Sequence, residues 1–241
     1  MDLNKIIKNN FNKEKRELNH LISSINLDKI DNFKLLVKMS IKAIIKGNKI
    51  LFYGNGGSAA DSQHLATELT IRYKKKRKAI AALALTTDTS ALTAAGNDMG
   101  FKKIFSRQIE SLGNPGDVAI ALTTSGNSLN LIDAAKEANR KKIITFCFSG
   151  NKGGVLKKFT KYPIIINSKN VSTIQTCEIY LGQIFCSILE DYFYSNGIDD
   201  SWINCLYGDS NNDGCECCDG DVGVSNDYED LGNGIWDDAE I

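Results

Sequence analysis

No apolar run in this chain approaches the roughly 18 residues needed to cross a bilayer, so no membrane segment is expected. The first twenty residues, MDLNKIIKNNFNKEKRELNH, are charged throughout and lack the apolar centre and small-residue cleavage site of a signal peptide. A cytoplasmic protein is the expectation. Histidine is scarce: His20 and His64 are the only two in 241 residues, which leaves few sites for imidazole acid–base or metal chemistry. Basic residues stop early. All 29 Lys and Arg lie before residue 197, whereas 13 of the 29 Asp and Glu lie in 197–241.

That charge division separates a body, 1–196, from an acidic tail, 197–241. The tail is rich in Gly, Asp and Asn, has no sustained periodicity, and reads as disordered. Asp209-x-Asn211-x-Asp213-Gly214 begins like a calcium loop, but Gly220 stands where the twelfth position requires a bidentate Glu. Cys205, Cys215, Cys217 and Cys218 cluster in the tail with irregular spacing and no histidine nearby, a poor match to a zinc site. Cys147, Cys177 and Cys186 sit in apolar segments, as small buried hydrophobes do.

The body is long enough, and at 42% apolar residues rich enough, to bury one sizeable core. Residues 1–47 carry apolar positions at helical spacing, with a break at 26–31, and predict two helices whose broad apolar faces suit a partner subunit. From Lys49 the pattern repeats as strand, loop, helix. Strands are expected at 49–53, 79–85, 117–123, 142–148 and 162–166, and helices at 58–73, 88–95, 101–112, 127–140 and 153–158. A last long helix follows at about 172–195. Such alternation predicts an α/β fold, a parallel sheet with helices on both faces and ligands beyond the carboxyl ends of the strands.

Two loops stand out. Ile50-Leu51-Phe52-Tyr53 runs into Gly54-Asn55-Gly56-Gly57-Ser58 and then a helix. Gly56 and Gly57 let the backbone approach a ligand, Ser58 is placed to cap the helix, and its free N–H groups suit an anion. The third glycine of a dinucleotide fingerprint and the lysine of a P-loop are both missing. Thr123-Thr124-Ser125-Gly126-Asn127-Ser128 follows the third strand and offers hydroxyls and backbone donors together. His64 and Glu68 stand four apart on the first helix, as a possible ligand and base, with Arg72 one turn on. Lys74–Lys78 reads as a solvated turn rather than a nucleic-acid site.

Together these residues resemble the sugar isomerase (SIS) domain, and within it the phosphoheptose (sedoheptulose 7-phosphate) isomerase family. The likeness covers about residues 1–195. It rests on GNGGSAADSQHLATEL, GNDMGF (96–101), the FSRQIE after it, TTSGNS (123–128) and the Ile174-Gln175 that opens the last helix. The resemblance implies a flavodoxin-like three-layer sandwich with a five-stranded parallel sheet. It also implies a homotetramer with active sites shared between subunits, and conversion of sedoheptulose 7-phosphate to D-glycero-D-manno-heptose 7-phosphate through an enediol for surface polysaccharides, often with zinc. Carried onto matching positions, Asn55, Gly56, Gly57, Ser58, Thr123, Thr124, Ser125 and Ser128 hold the substrate and its phosphate. Arg72 and Asp98 touch the sugar chain. His64, Glu68 and Gln175 are metal ligands, with Gln175 also at the substrate and Glu68 the enediol base.

The chain departs from that pattern at the last helix. Eight residues after the Gln, the isomerases carry a His that is both metal ligand and second acid–base group; here it is Gln183. An amide does not exchange protons near neutral pH and is a weak zinc ligand. Ser172 stands where the isomerases often have Asp. Stand-ins for the acid are a Gln175-bound water, Glu178, a metal, or the distant His20. The competing expectation is a non-catalytic SIS module that binds a sugar phosphate or a protein, as one relative associates with the bacterial replication initiator.

Overall fold

β-Branched and aromatic runs between glycine and asparagine turns make the strands, and their order sets the rest. The computed structural model describes residues 2–25 and 31–196. Its strands are β1 (Ile50–Gly54), β2 (Ala82–Ala84), β3 (Val118–Thr123), β4 (Ile144–Ser149) and β5 (Tyr162–Ile165). All pairs are parallel, in the order β2-β1-β3-β4-β5. β1 and β3 are buried along their whole length, as strands covered on both faces are.

Seven α-helices occur among the described residues: α1 (Leu3–Ser24), α2 (Asp31–Ile45), α3 (Gly57–Thr70), α4 (Thr89–Asp98), α5 (Ser106–Leu112), α6 (Leu129–Arg140) and α7 (Val171–Asn196). None is long and apolar enough to cross a membrane. On one face of the sheet Leu51, Tyr53, Ala119, Ala121 and Cys147 pack with Ile109 of α5 and Leu131, Ala134 and Ala138 of α6. Alternation along the strands turns Ile50, Phe52, Ile120 and Phe146 to the other face, which α2, α3 and α7 cover. This is the expected α/β sandwich. In this strand order the helices leaving β1 and β3 depart to opposite faces, and a crevice opens between the two strand ends. Both loops singled out in the sequence lie at that crevice.

Several boundaries differ from expectation. β2 keeps only three residues, because this edge strand has β1 as its one partner. The stretch 101–112 divides after Lys103: Gly100, at φ +84°, leads into a 3₁₀ turn, Phe101–Lys103, and α5 begins only at Ser106. Over 153–158 the helix is replaced by short 3₁₀ turns, Asn151–Gly153 and Leu156–Lys158. α3 stops at Thr70 rather than residue 73. Arg77 reaches back to donate from Nη2 to the Glu68 carbonyl (2.7 Å) and from Nη1 to that of Leu69 (2.8 Å), satisfying carbonyls that a longer helix would have used. α1 ends at Ser24 and α2 begins at Asp31, while residues 26–30 of the break expected at 26–31 lie outside the described residues. The acidic tail, with its calcium-like loop and its cysteines, lies outside the described residues.

Candidate active site

The first loop is built by close backbone packing. A Cβ on Gly54 would strike the Ser58 carbonyl, and Gly56 sits at φ +57°, so both positions suit glycine. Gly56, not Ser58, is the N-cap of α3, and no side chain caps this end. Ser58 lies inside the first turn, its N–H on the Asn55 carbonyl at 3.1 Å. Its hydroxyl points inward and donates to Glu178 Oε2 at 3.0 Å. The expected serine cap is therefore corrected: the hydroxyl is committed to α7.

The second loop is folded against a third. Gly126 has φ +66°, and a Cβ there would meet the Gly153 carbonyl. Its N–H donates to Thr123 Oγ1 at 3.2 Å, and the Asn127 N–H donates to Ser125 Oγ at 3.2 Å. Ser128 is the N-cap of α6 yet makes no side-chain capping bond. Ordinary capping thus explains neither loop, and the hydroxyls of Thr124 and Ser128 have no hydrogen-bond partner among the described residues.

A reciprocal amide pair brings the loops together. Asn55 Nδ2 donates to Asn130 Oδ1 (3.0 Å) and Asn130 Nδ2 returns a bond to Asn55 Oδ1 (2.8 Å). Deeper, the Glu178 carboxyl of α7 accepts from the Ser58 hydroxyl of the first loop at 3.0 Å, and its other oxygen has no hydrogen-bond partner among the described residues. Glu178 is fully buried. Burial pushes its pKa up to about 8, opposed by the Ser58 bond and helped by the nearby Asp61. It is neutral at pH 7 and closed off from any substrate, so it is not the exposed acid that the sequence allowed.

His64 Nε2 lies 2.8 Å from Glu68 Oε1, with side-chain exposures of 46% and 18%. Both groups are thus open to a ligand and bonded to each other. Gln175 projects from α7 onto Gly57, where its amide fills the place a Cβ would take. Gly182 presses on Leu65 in the same way, which sets Gln183 at the level of His64. Other candidates lie apart in this chain. Arg72 is exposed beyond the end of α3, not on its face as expected. Asp98 accepts from Asn97 Nδ2 at 2.7 Å and lines a groove of about 640 Å³ with Asp88, Arg107 and Gln108, none of them in either loop. His20 is exposed on α1.

Comparison with known proteins agrees with this geometry. Residues 15–150 match the family model described as the SIS domain. The phosphoheptose isomerase of Aquifex aeolicus is 51% identical over 149 residues, 62% of this chain and 78% of that protein. That of Akkermansia muciniphila is 46% identical over 174 residues, 68% of this chain and 92% of its own. Among solved structures, phosphoheptose isomerase from Neisseria gonorrhoeae superposes with a TM-score of 0.70 at 33% identity, covering 79% of this chain and all of that one. The chain belongs to the phosphoheptose isomerase family.

Within that family the donor set bears on the implied zinc. Among the described residues no three His, Cys, Asp or Glu side chains gather as a metal site. His64 and Glu68 are two donors; Gln175 and Gln183 add only amides. Protein zinc sites draw at least three ligands from His, Cys and carboxylates, so these residues do not fit a resident zinc ion. Two positions, Asn130 and Glu190, are not singled out in the sequence, and Glu178 is read there only as an acid. Asn130, which holds Asn55, looks like any polar residue in a first helical turn. Neither the bond of Glu178 to Ser58 nor the three N–H groups that Glu190 accepts is legible from residue order. An acid on the apolar face of a long helix was a signal for both, since a buried carboxyl requires partners.

Proposed function

We propose that this phosphoheptose isomerase relative interconverts sedoheptulose 7-phosphate and D-glycero-D-manno-heptose 7-phosphate, with Glu68 as the base. The observation that carries the reading is the meeting of two hydroxyl-bearing turns at the switch point of the sheet, joined by the Asn55–Asn130 pair, with the open Glu68 carboxylate about three turns along the helix that leaves the first of them. The substrate phosphate lies between Asn55–Ser58 and Thr123–Ser128. There it receives backbone N–H groups and the hydroxyls of Thr124, Ser125 and Ser128, while the ends of α3 and α6 favour its charge. Gln175 hydrogen-bonds the sugar near Gly57. Arg72 and Asp98 serve the sugar chain only where a neighbouring copy brings them to it.

With the open-chain ketose in place, Glu68 takes a proton from C1. The C1–H electron pair forms the C1–C2 double bond of the enediolate, and the charge rests on O2. Return of that proton to C2, with transfer of the O1 proton to O2, gives the aldose. His64 donates Nε2–H to the ionised Glu68 and so aims the carboxylate. Gln183 orients the O1–O2 edge by hydrogen bonds but exchanges no proton. Loss of an acid–base group commonly costs about 10²–10⁴-fold in rate, so turnover is slower than in an isomerase with the histidine. The reading includes a cytoplasmic homotetramer. Buried free thiols at Cys147, Cys177 and Cys186 accord with a reducing compartment.

The test is sedoheptulose 7-phosphate in D₂O. Deuterium is expected to enter the sugar beside the carbonyl and the aldose to accumulate, and Glu68→Gln is expected to abolish both. Gln183 favours one other reading, a module that binds the sugar phosphate without turning it over. Tight binding with no deuterium incorporation selects that reading.

A further inference from the structure

Among the described residues, three that are not glycine hold a positive φ: Lys142 (+60°), Asn151 (+46°) and Lys152 (+62°). Such backbone disfavours any residue with a Cβ, and asparagine tolerates it better than most. Lys142 has a local reason to adopt it. It closes α6, where its N–H meets the Asn139 carbonyl at 3.0 Å and the Ile143 N–H meets that of Ala138 at 2.9 Å, the left-handed cap that ends many helices. Lys152 ends no α-helix. It stands in the turn after β4, ahead of Gly153 (φ +86°) and Gly154 (φ +52°), where a further glycine would carry no steric cost. A side chain kept on unfavourable backbone points to a use for that side chain.

This turn lies against the second loop. A Cβ on Gly126 would strike the Gly153 carbonyl, and one on Gly154 the Ser125 carbonyl. The Leu156 N–H donates to the Gly126 carbonyl at 2.8 Å, and the Val155 N–H to Asn127 Oδ1 at 3.0 Å. Lys152 is thus one peptide unit from backbone that packs on Ser125 and Gly126. It is exposed, and its ammonium group has no ion pair or hydrogen bond among the described residues. Lys49, Lys75 and Lys103, by contrast, pair with Asp117, Asp191 and Asp133. Neither Gly54–Ser58 nor Thr123–Ser128 contains a Lys or Arg. A phosphate monoester carries nearly two negative charges at neutral pH, and each helix end offsets only about half of one. The loop that carries Lys169 follows β5, one strand further from the crevice.

We propose that Lys152 is the cation of the phosphate site: the left-handed turn after β4 sets it beside the second loop, and its ammonium group pairs with the sugar phosphate that the two loops hold. This rests on reading those loops as the phosphate site, and it makes the dianionic end of the substrate the group that the turn selects.

The experiment compares wild type, K152G, K152R and K142G by calorimetric titration with inorganic phosphate at low and high salt, and by KM and kcat on sedoheptulose 7-phosphate. Circular dichroism checks the fold. Glycine keeps the left-handed backbone, so K152G removes the charge without forcing the turn to change. It is expected to weaken phosphate binding and raise KM by about tenfold, the low end for a hydrogen bond to a charged group, while kcat changes little. The deficit is expected to shrink as salt rises, because salt screens an exposed pair. K152R is expected to keep wild-type affinity. K142G makes the same exchange at the opposite end of β4 and is expected to bind as wild type does. Folded K152G with unchanged phosphate affinity and KM overturns the proposal alone, and so does a K142G loss as large as that of K152G, since that marks only the net charge of the body. Wild type that binds no phosphate removes the loop reading and this proposal with it. Should K152G not fold, K152N also suits the left-handed backbone, and unchanged phosphate binding in K152N overturns the proposal.

Discussion

Gly182 lies against Leu65 on the facing helix, so the next residue, Gln183, sits at the level of His64 and Glu68. The amide there supplies neither a proton nor a strong metal bond. Gln183→His adds the third strong donor that a zinc site requires. Calorimetric zinc titration is expected to show affinity rising by at least about tenfold over wild type, since even lost outer-shell partners cost that much. Equal affinities would mean that position 183 faces away from the pair. Glu178 gives a second prediction at this scale. Its pKa stands near 8 in the folded chain against an ordinary 4.5, so between those values the folded state holds a proton that the unfolded state has released. Its contribution is full below about pH 4.5 and is lost as the pH rises towards 8, with a ceiling of a few kcal/mol. Asp61 faces the same carboxyl and deepens the effect. Urea unfolding at pH 5.5 and 8.5 is expected to show a steeper loss of stability in wild type than in E178Q. Parallel losses would place the titration elsewhere.

Helix α3 carries His64 and Glu68, and a buried clamp sets where it ends. Arg77 and Glu190 are almost wholly shielded, with Nε 3.4 Å from Oε1. The guanidinium spends its terminal nitrogens on the carbonyls of Glu68, Leu69 and Lys78, while the carboxylate gathers three successive N–H groups of the lysine loop. Burial lowers the pKa of Arg77, and the charge of Glu190 opposes that shift. Removing one member of such a pair strands the other's charge, typically at about 3–5 kcal/mol. Glu190→Ala and Arg77→Ala are each expected to lose that much in urea unfolding, and the double variant less than their sum. Additive losses would show that the two residues act separately. This clamp also shows what the sequence left hidden. Apolar runs and glycine turns made all five strands and both loops legible, because burial and backbone conformation write themselves into residue type. The end of α3 did not, since it depends on Arg77 and on Glu190, more than a hundred residues away. Asn130 was equally silent. A reciprocal amide pair leaves no local pattern, whereas His64 and Glu68, four apart on one helix, could be read from spacing alone.

On the scale of the whole molecule, α1 presents Leu3, Ile7 and Phe11 at exposures of 66%, 57% and 67%. Spaced four apart, they form one apolar stripe, of the kind that a soluble protein covers with a partner. The tetramer implied by the family resemblance supplies such a partner. The I7D/F11D variant is therefore expected to elute as a smaller species than wild type in size-exclusion chromatography with light scattering, with its helical content kept. Wild type that runs as a monomer would leave the stripe without this explanation. Assembly also bears on catalysis, because within one chain Asp98 lines a groove apart from the loops. If a neighbour's Asp98 completes each site, then E68Q and D98N, each inactive alone, repair one another when co-expressed: mixed tetramers contain sites with both residues intact. Activity above that of either variant is the expected result. A co-purified mixture that stays inactive would place Glu68 and Asp98 of a single chain in the same site, with the α4–α5 segment moving to join the loops when the sugar phosphate binds.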